Sequence, residues 1–136
     1  MTATKSLLYG TLLLWLVSGV VACALKSRGV VHTQRGYDEV FQAALAAVQE
    51  AEFTVTSQVS RQGVIMAEKQ LPAAEGDTMR LTVRIHQEAT GLTVVATVVQ
   101  PAGASATGEK PCKCHVKRFV AALESRMPDI QVVSIQ

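Results

Sequence analysis

One short cluster of side chains, Cys112-Lys113-Cys114-His115, has residue types that bind metals or change redox state. The two thiols can close a strained disulfide across one residue, since neighbouring lysines favour the reactive thiolate. They can instead bind copper(I) as a pair of soft thiolates, with His115 as an additional ligand. A closed zinc site requires a fourth ligand, which the neighbouring sequence does not offer.

The same cluster has a purely structural interpretation. Counting back four residues from Val116 places Cys112 on the buried face of a predicted helix, whereas Cys114 points nearly opposite. If that helix is regular from Pro111, the two sulfurs diverge and cannot form a disulfide. We therefore rank packing or an incidental disulfide above a metal site, and keep metal or redox chemistry as the alternative function.

The first cysteine, Cys23, ends a segment typical of a secretory signal. Residues 1–6 are polar and include Lys5, and residues 7–22 are apolar without a charge. A bilayer-spanning helix needs about 20 apolar residues, so this stretch is short for a permanent span. A positive start, a compact apolar stretch and small residues at its end predict a signal peptide over residues 1–22.

The end of this leader, Val20-Val21-Ala22-Cys23, resembles the cleavage motif of bacterial lipoproteins. In that family the cysteine sulfur receives diacylglycerol, and the leader is cut just before it. The resemblance implies a covalent lipid on Cys23 and a location on the periplasmic side of the cell envelope. Ala24 follows the cysteine instead of an aspartate, which in enteric bacteria implies sorting to the outer membrane.

Composition argues against several other classes of protein. Once Lys5 leaves with the leader, 12 of the 13 basic residues remain against 11 acidic ones, and aromatic residues are only 4%. This balance gives no electrostatic or stacking basis for nucleic-acid binding. Asp38 and Glu39 suit a helix start better than a catalytic pair, and there is no nucleophile motif or glycine-rich phosphate loop. We expect no enzyme activity and no cofactor besides the lipid.

The mature chain divides into residues 23–36, the lipidated cysteine and a tether, and residues 37–136, a compact domain. Val30 and Val31 allow a brief strand within the tether. A first helix is predicted with Asp38 as its cap. Its apolar positions recur at helical spacing: Tyr37, Val40, Phe41, Ala44, Leu45 and Val48. A second helix is stopped by Pro128 and has its own stripe: Val116, Phe119, Val120, Leu123 and Met127.

Between the helices, period-two alternation predicts four strands. Residues 53–59 and 64–69 flank a turn at 60–63, and residues 79–86 pair with 92–99. Like faces must match in that second hairpin, because a one-residue slip inverts every side chain. The matching register pairs Val83 with Ala96, Ile85 with Val94, Leu81 with Val98, Arg84 with Val95 and Thr82 with Thr97. A short final strand is predicted over 130–135.

The outer face of this hairpin is the predicted interaction surface. It contains Arg80, Thr82, Arg84, His86, Val95 and Thr97. Val95 and Val99 make this Thr-rich face more apolar than solvation requires, which favours a protein partner. Its basic side chains can receive an anionic group, although solvated sheet faces carry such charges routinely. His32 and His86 are interpreted as ordinary surface or strand-edge residues.

The order of elements predicts an α+β fold, a single antiparallel sheet of about four to five strands with two helices on one face. This layout resembles small bacterial lipoproteins, and is distantly similar to BamC-like domains of outer-membrane assembly. The matching residues are Tyr37-Asp38-Glu39-Val40-Phe41 and Gly63-Val64-Ile65. The resemblance supplies no catalytic residues. Together with the outer sheet face described above, the sequence favours a non-enzymatic envelope lipoprotein that binds a protein partner through its sheet face or edge. The small side chains of the apolar stripes argue against a third function, a ligand-carrying cavity.

Overall fold

The computed structural model describes residues 25–70, 78–100 and 113–136. They form an α+β domain with one antiparallel sheet of six strands and two helices. The strands are β1 (Leu25–Thr33), β2 (Thr54–Val59), β3 (Val64–Gln70), β4 (Thr78–Glu88), β5 (Gly91–Gln100) and β6 (Gln131–Ile135), and the helices are α1 (Tyr37–Glu50) and α2 (Cys114–Arg126). The order across the sheet is β2-β3-β4-β5-β1-β6. The predicted leader, Cys23, Pro111 and Cys112 lie outside the described residues.

Helix α1 buries the face that its apolar spacing predicts. Its buried side chains are Val40, Phe41, Ala44, Ala47 and Val48. The predicted cap is wrong by two positions, because Gly36 precedes the helix and Asp38 lies in its first turn without a capping side-chain hydrogen bond. The acidic first turn, Asp38 and Glu39, still faces the positive end of the helix dipole.

Helix α2 likewise buries the predicted stripe. Its buried side chains are Val116, Phe119, Val120, Ala122 and Leu123, and Met127 is buried at its end. The helix ends at Arg126, because Pro128 cannot continue it. Both helices contribute to a single core with one face of the sheet.

The β4–β5 hairpin confirms the register derived from alternation. Val83 lies opposite Ala96, and every other predicted pair of this hairpin is also observed. Burial alternates strictly along most of β4 and β5, so one face of each strand enters the core. Matching of the apolar faces was therefore sufficient to determine this pairing.

The β2–β3 hairpin turns at the predicted position but buries less than expected. Gly63 adopts a positive φ of 65°, and its carbonyl accepts a hydrogen bond of 2.8 Å from the backbone N–H of Ile85. Strand β2 lies at an edge of the sheet, is exposed over most of its length and carries a bulge between Val55 and Ser57. The predicted half-buried strand is thus mostly exposed, because an edge strand has a neighbour on one side only.

Strand β1 is the main departure from the sequence prediction. Residues 25–33 fall within the predicted tether 23–36, yet they form an inner strand between β5 and β6. Gly29 lies on the covered face, where an added Cβ would be 2.6 Å from Val116 Cγ1. A tether has no such constraint, so Gly29 allows α2 to lie close to β1. With β1 and β6 both formed, the sheet has six strands instead of four or five.

The described core is self-contained. All of its buried apolar side chains fall between Val31 and Met127. A chain that begins at Ala24 therefore retains every one of them. Within the described ranges, neither helix has the length and apolar character that crossing a bilayer requires.

Candidate functional site

The candidate site is the sheet face opposite the helices, which we call the open face. Strand β4 contributes Arg80, Thr82, Arg84 and His86, which alternate with buried residues. On β5, Val95 lies opposite Arg84 and Thr97 lies opposite Thr82. The structure thus brings together the six residues that the sequence assigned to an interaction surface.

Strand β1 adds two cations that the sequence analysis missed. Arg28 lies opposite Thr97 on β5, and Lys26 lies opposite Val99. Both side chains are exposed. Lys26 and Arg28 are two residues apart, a spacing that places two side chains on the same face of a strand. Because residues 23–36 were predicted to form a tether, this signal was not used.

A shallow groove of about 480 Å³ runs over this part of the open face. We call it the basic groove, and it is lined by Lys26, Arg28, Arg84, His86, Val95, Thr97 and Gln136. Gln136 is held there by β1, since the Arg28 N–H donates to the main-chain oxygen of Gln136 at 2.9 Å and the Gln136 N–H donates to the Arg28 carbonyl at 2.7 Å. Among the described residues, no acidic side chain lines it.

The three formal cations of the basic groove have no described acid within ion-pair distance. The ion pairs of the described chain lie elsewhere: Arg35 with Glu39 and Asp129, Lys69 and Arg118 with Glu52, Arg126 with Glu50, and Arg80 with Glu68. The other unpaired cations of the described ranges lie outside the groove, in the β2–β3 turn (Arg61), immediately before α2 (Lys113) and on α2 (Lys117). Within the described residues, the groove is therefore where unpaired cations from two strands converge without an acidic side chain.

The cysteine cluster is only partly within the described chain. Cys114 is exposed, is the first residue of α2 and is disulfide-bonded. The other two cysteines of the chain, Cys23 and Cys112, lie outside the described residues, so a bridge between Cys112 and Cys114 stays a prediction. From the sequence, we expected the two sulfurs to diverge only if the helix were regular from Pro111. Helix α2 begins at Cys114, so that expectation does not apply.

A disulfide has a direct consequence for metal binding. A cysteine in a disulfide has no thiolate to donate, so a copper(I) site at Cys114 would require reduction first. Within the part of the chain that the structure describes, no three His, Cys, Asp or Glu side chains converge as metal ligands.

His115, the third member of the predicted cluster, packs at the junction of α2 and the sheet. Its half-buried ring meets the Phe53 ring edge-on, with 6.1 Å between the centroids. Lys69 Nζ lies 5.7 Å from the centre of the same Phe53 ring. Burial lowers the pKa of His115, and the nearby charges of Lys69 and Arg118 lower it further. A neutral, packed imidazole at this position has a structural role.

A second, smaller depression lies at one end of the sheet. It measures about 290 Å³ and is lined by His32, Thr33, Gln34, Asp129 and Gln131. His32 Nδ1 shares a hydrogen bond of 3.4 Å with Thr93 Oγ1. Its described lining contains neither Lys nor Arg and shares no residue with the basic groove.

Comparison with known proteins identifies no relative of this chain among family models or curated proteins. Any proposal of function therefore depends on the N-terminal motif, the open face and the exposed edge of the sheet.

Proposed function

We propose that the chain is a non-enzymatic lipoprotein of the bacterial cell envelope, anchored by lipid on Cys23 and binding a protein partner through its sheet. The motif Val20-Val21-Ala22-Cys23 and the charge-free stretch before it support the anchor. We place the domain on the periplasmic side of the outer membrane, since Ala24 follows the cysteine. The distant likeness to BamC-like domains is part of the same proposal.

The start of β1 at Leu25 makes the anchor short. Only Ala24 separates the proposed lipid attachment site from the sheet. At about 3.6 Å per residue, the strand can begin no more than about 7 Å from the Cα of Cys23. The flexible tether expected from the sequence would have allowed on the order of 20 Å. The proposed lipoprotein therefore holds its domain directly against the bilayer surface.

The observation that carries partner binding is the one-sided covering of the sheet. Both helices pack on the same face, which leaves the open face and the β6 edge uncovered within the described residues. On β6, Val132 is 40% exposed and Val133 is 64% exposed. The strand contains neither a charge nor a proline, and such an edge can pair with an extended segment of another protein.

Metabolic labelling with a fatty acid tests the anchor. We expect label on the wild-type chain and on Cys112→Ser, and none on Cys23→Ser, because only the thiol in the motif accepts the lipid. Equal labelling of the two variants, or no label on the wild type, would contradict the anchored lipoprotein.

Crosslinking in whole cells tests the partner. Val133→Lys places a charge on the β6 edge, and Arg84→Ala with Val95→Ala alters the open face. We expect at least one of these changes to remove a crosslinked partner that the wild type and the α2 control Lys117→Ala retain. An unchanged set of partners in all variants would refute binding through the sheet.

The disulfide at Cys114 supports a redox protein as the second candidate. Thiol titration of the aerobically purified protein, with metal analysis before and after reduction, separates the two functions. A redox role requires a disulfide that is reduced reversibly. Fully free thiols without bound metal would rule out this candidate.

A further inference from the structure

We propose that the basic groove binds the phosphate groups of anionic phospholipids in the membrane that carries the anchor. This inference depends on the proposed lipid on Cys23. It deepens that function, because it assigns the open face to the bilayer and leaves the β6 edge to the protein partner.

The first support is the distance from the anchor. Lys26 and Arg28 follow Cys23 by three and five residues. Even a fully extended chain therefore keeps their Cα atoms within about 11 and about 18 Å of the cysteine. Strand β4 runs parallel to β1, because both are antiparallel to β5, so Arg80 lies toward the same end of the sheet as Lys26. Two of the three groove cations, Lys26 and Arg28, thus lie toward the anchored end of the open face, and Arg84 lies four residues further along β4 than Arg80.

The second support is the chemistry of the lining. Arg28 and Arg84 can each hold a phosphate through two parallel N–H donors, and Lys26 adds a third positive charge. Among the described residues, no acidic side chain competes for these groups in the groove. The neutral floor of Val95 and Thr97 lies between them. A row of phosphates satisfies this arrangement without burying a charge.

The third support is the short range of the interaction. Electrostatic attraction to a membrane decays within a Debye length, about 8 Å at physiological ionic strength. A domain on a long tether would spend most of its time beyond that range. With Ala24 as the whole tether, the anchor keeps the basic residues at a high effective concentration near the headgroups.

An acidic protein segment would present the same charges as a lipid headgroup. The short anchor favours the membrane, because the bilayer is an anionic surface that the anchored domain meets continuously. A protein segment must instead reach a groove that already lies close to the bilayer. The two ligands are separated in the experiment below.

The test uses residues 24–136, which retain the complete described core. Sedimentation with vesicles measures binding without any contribution from acylation. We expect binding to vesicles of phosphatidylcholine with phosphatidylglycerol, and none to phosphatidylcholine alone. The double variant Arg28→Gln/Arg84→Gln should bind about twenty-five-fold more weakly, about fivefold for each cation removed. The control Arg61→Gln/Lys117→Gln removes the same charge outside the groove and should bind like the wild type.

Three results would overturn the proposal. They are no binding to the anionic vesicles, equal weakening in the two double variants, and tighter binding of a hexaglutamate peptide than of vesicles at equal anionic charge. Circular dichroism verifies that each variant is folded. Fatty-acid labelling reports on the anchor separately. A labelled chain without vesicle binding overturns the groove, whereas vesicle binding by an unlabelled chain overturns the anchored function.

Discussion

The two faces of the sheet are built from the same strands and differ in almost every physical property. Along β5, the covered face carries Leu92, Val94, Ala96 and Val98, and the open face carries Thr93, Val95, Thr97 and Val99. The first set is buried in the core, and the second is only partly covered. Neighbouring residues of one strand therefore belong to two environments, one that stabilises the fold and one available for binding.

The charges do not divide by face, since Arg80 on the open face pairs with Glu68 at 3.7 Å, but the basic groove differs from its surroundings. Around the helices and strand ends, cations pair with carboxylates, as Arg126 does with Glu50 at 2.8 Å. In the basic groove, Lys26, Arg28 and Arg84 have no described carboxylate partner. Exposed ion pairs contribute little to stability, about 0–1 kcal/mol each, so this difference matters for binding more than for folding. We propose that one face stabilises the fold and the other binds, and the following predictions test how much residues of each face contribute to stability.

The largest expected effect is on the covered face. Phe119→Ala removes a fully buried ring from α2 and should lower the free energy of unfolding by about 3–5 kcal/mol. Thr97→Ala on the open face should change it by less than about 0.5 kcal/mol. Urea denaturation measures both values. Similar losses of unfolding free energy in the two variants would contradict the assignment of a buried face and an open face.

Gly29 tests the close approach of α2 to β1. Gly29→Ala introduces a Cβ at 2.6 Å from Val116 Cγ1, and a helical valine has a stiff χ1, so the core must shift. We expect a loss of about 1–3 kcal/mol. The control is Gly36→Ala, where an added Cβ meets nothing within 4 Å and stability should stay within about 1 kcal/mol. A neutral Gly29→Ala would show that β1 does not pack as described.

Two adjacent valines in β5, Val94 and Val95, allow the covered and open faces to be compared at neighbouring positions. Val94 is 1% exposed on the covered face, and Val95 is half-buried on the open face. Val94→Ala should cost about 1.6 kcal/mol for its two lost methylene equivalents, and somewhat more if a cavity remains. Val95→Ala should cost less than half of that. Thermal unfolding ranks the two variants, and the reverse order would contradict the assigned faces.

The smallest effect concerns His115 and pH. The folded state lowers the pKa of His115, mainly through burial, so the unfolded chain binds a proton more readily. Stability from this residue is therefore complete above the ordinary pKa of about 6.5 and is lost as the pH falls toward the lowered value. Unfolding measured between pH 7 and pH 5 should show a weaker pH dependence in His115→Gln than in the wild type. An unchanged slope in His115→Gln would refute this role.

Local patterns predicted the parts of the fold whose stabilisation is local. The stripes of α1 and α2 and the pairs of the β4–β5 hairpin are confirmed, because periodicity determines which side chains can enter a core. Six residues of the open face followed from that hairpin without further information. Lys26 and Arg28 did not, because their strand is defined by pairing with β5, which is distant in the sequence.

The sequence by itself determined a motif ending at Cys23, two amphipathic helices and a hairpin with a defined register. Tertiary structure alone decided that residues 25–33 form an inner strand, that β6 lies at the edge, and that cations from β1 and β4 share one groove. The physical reason is the range of the interactions. Side-chain periodicity depends on a few neighbouring residues. Strand β1 has Gly29 and few apolar side chains on its covered face, so it is stabilised by partners far along the chain.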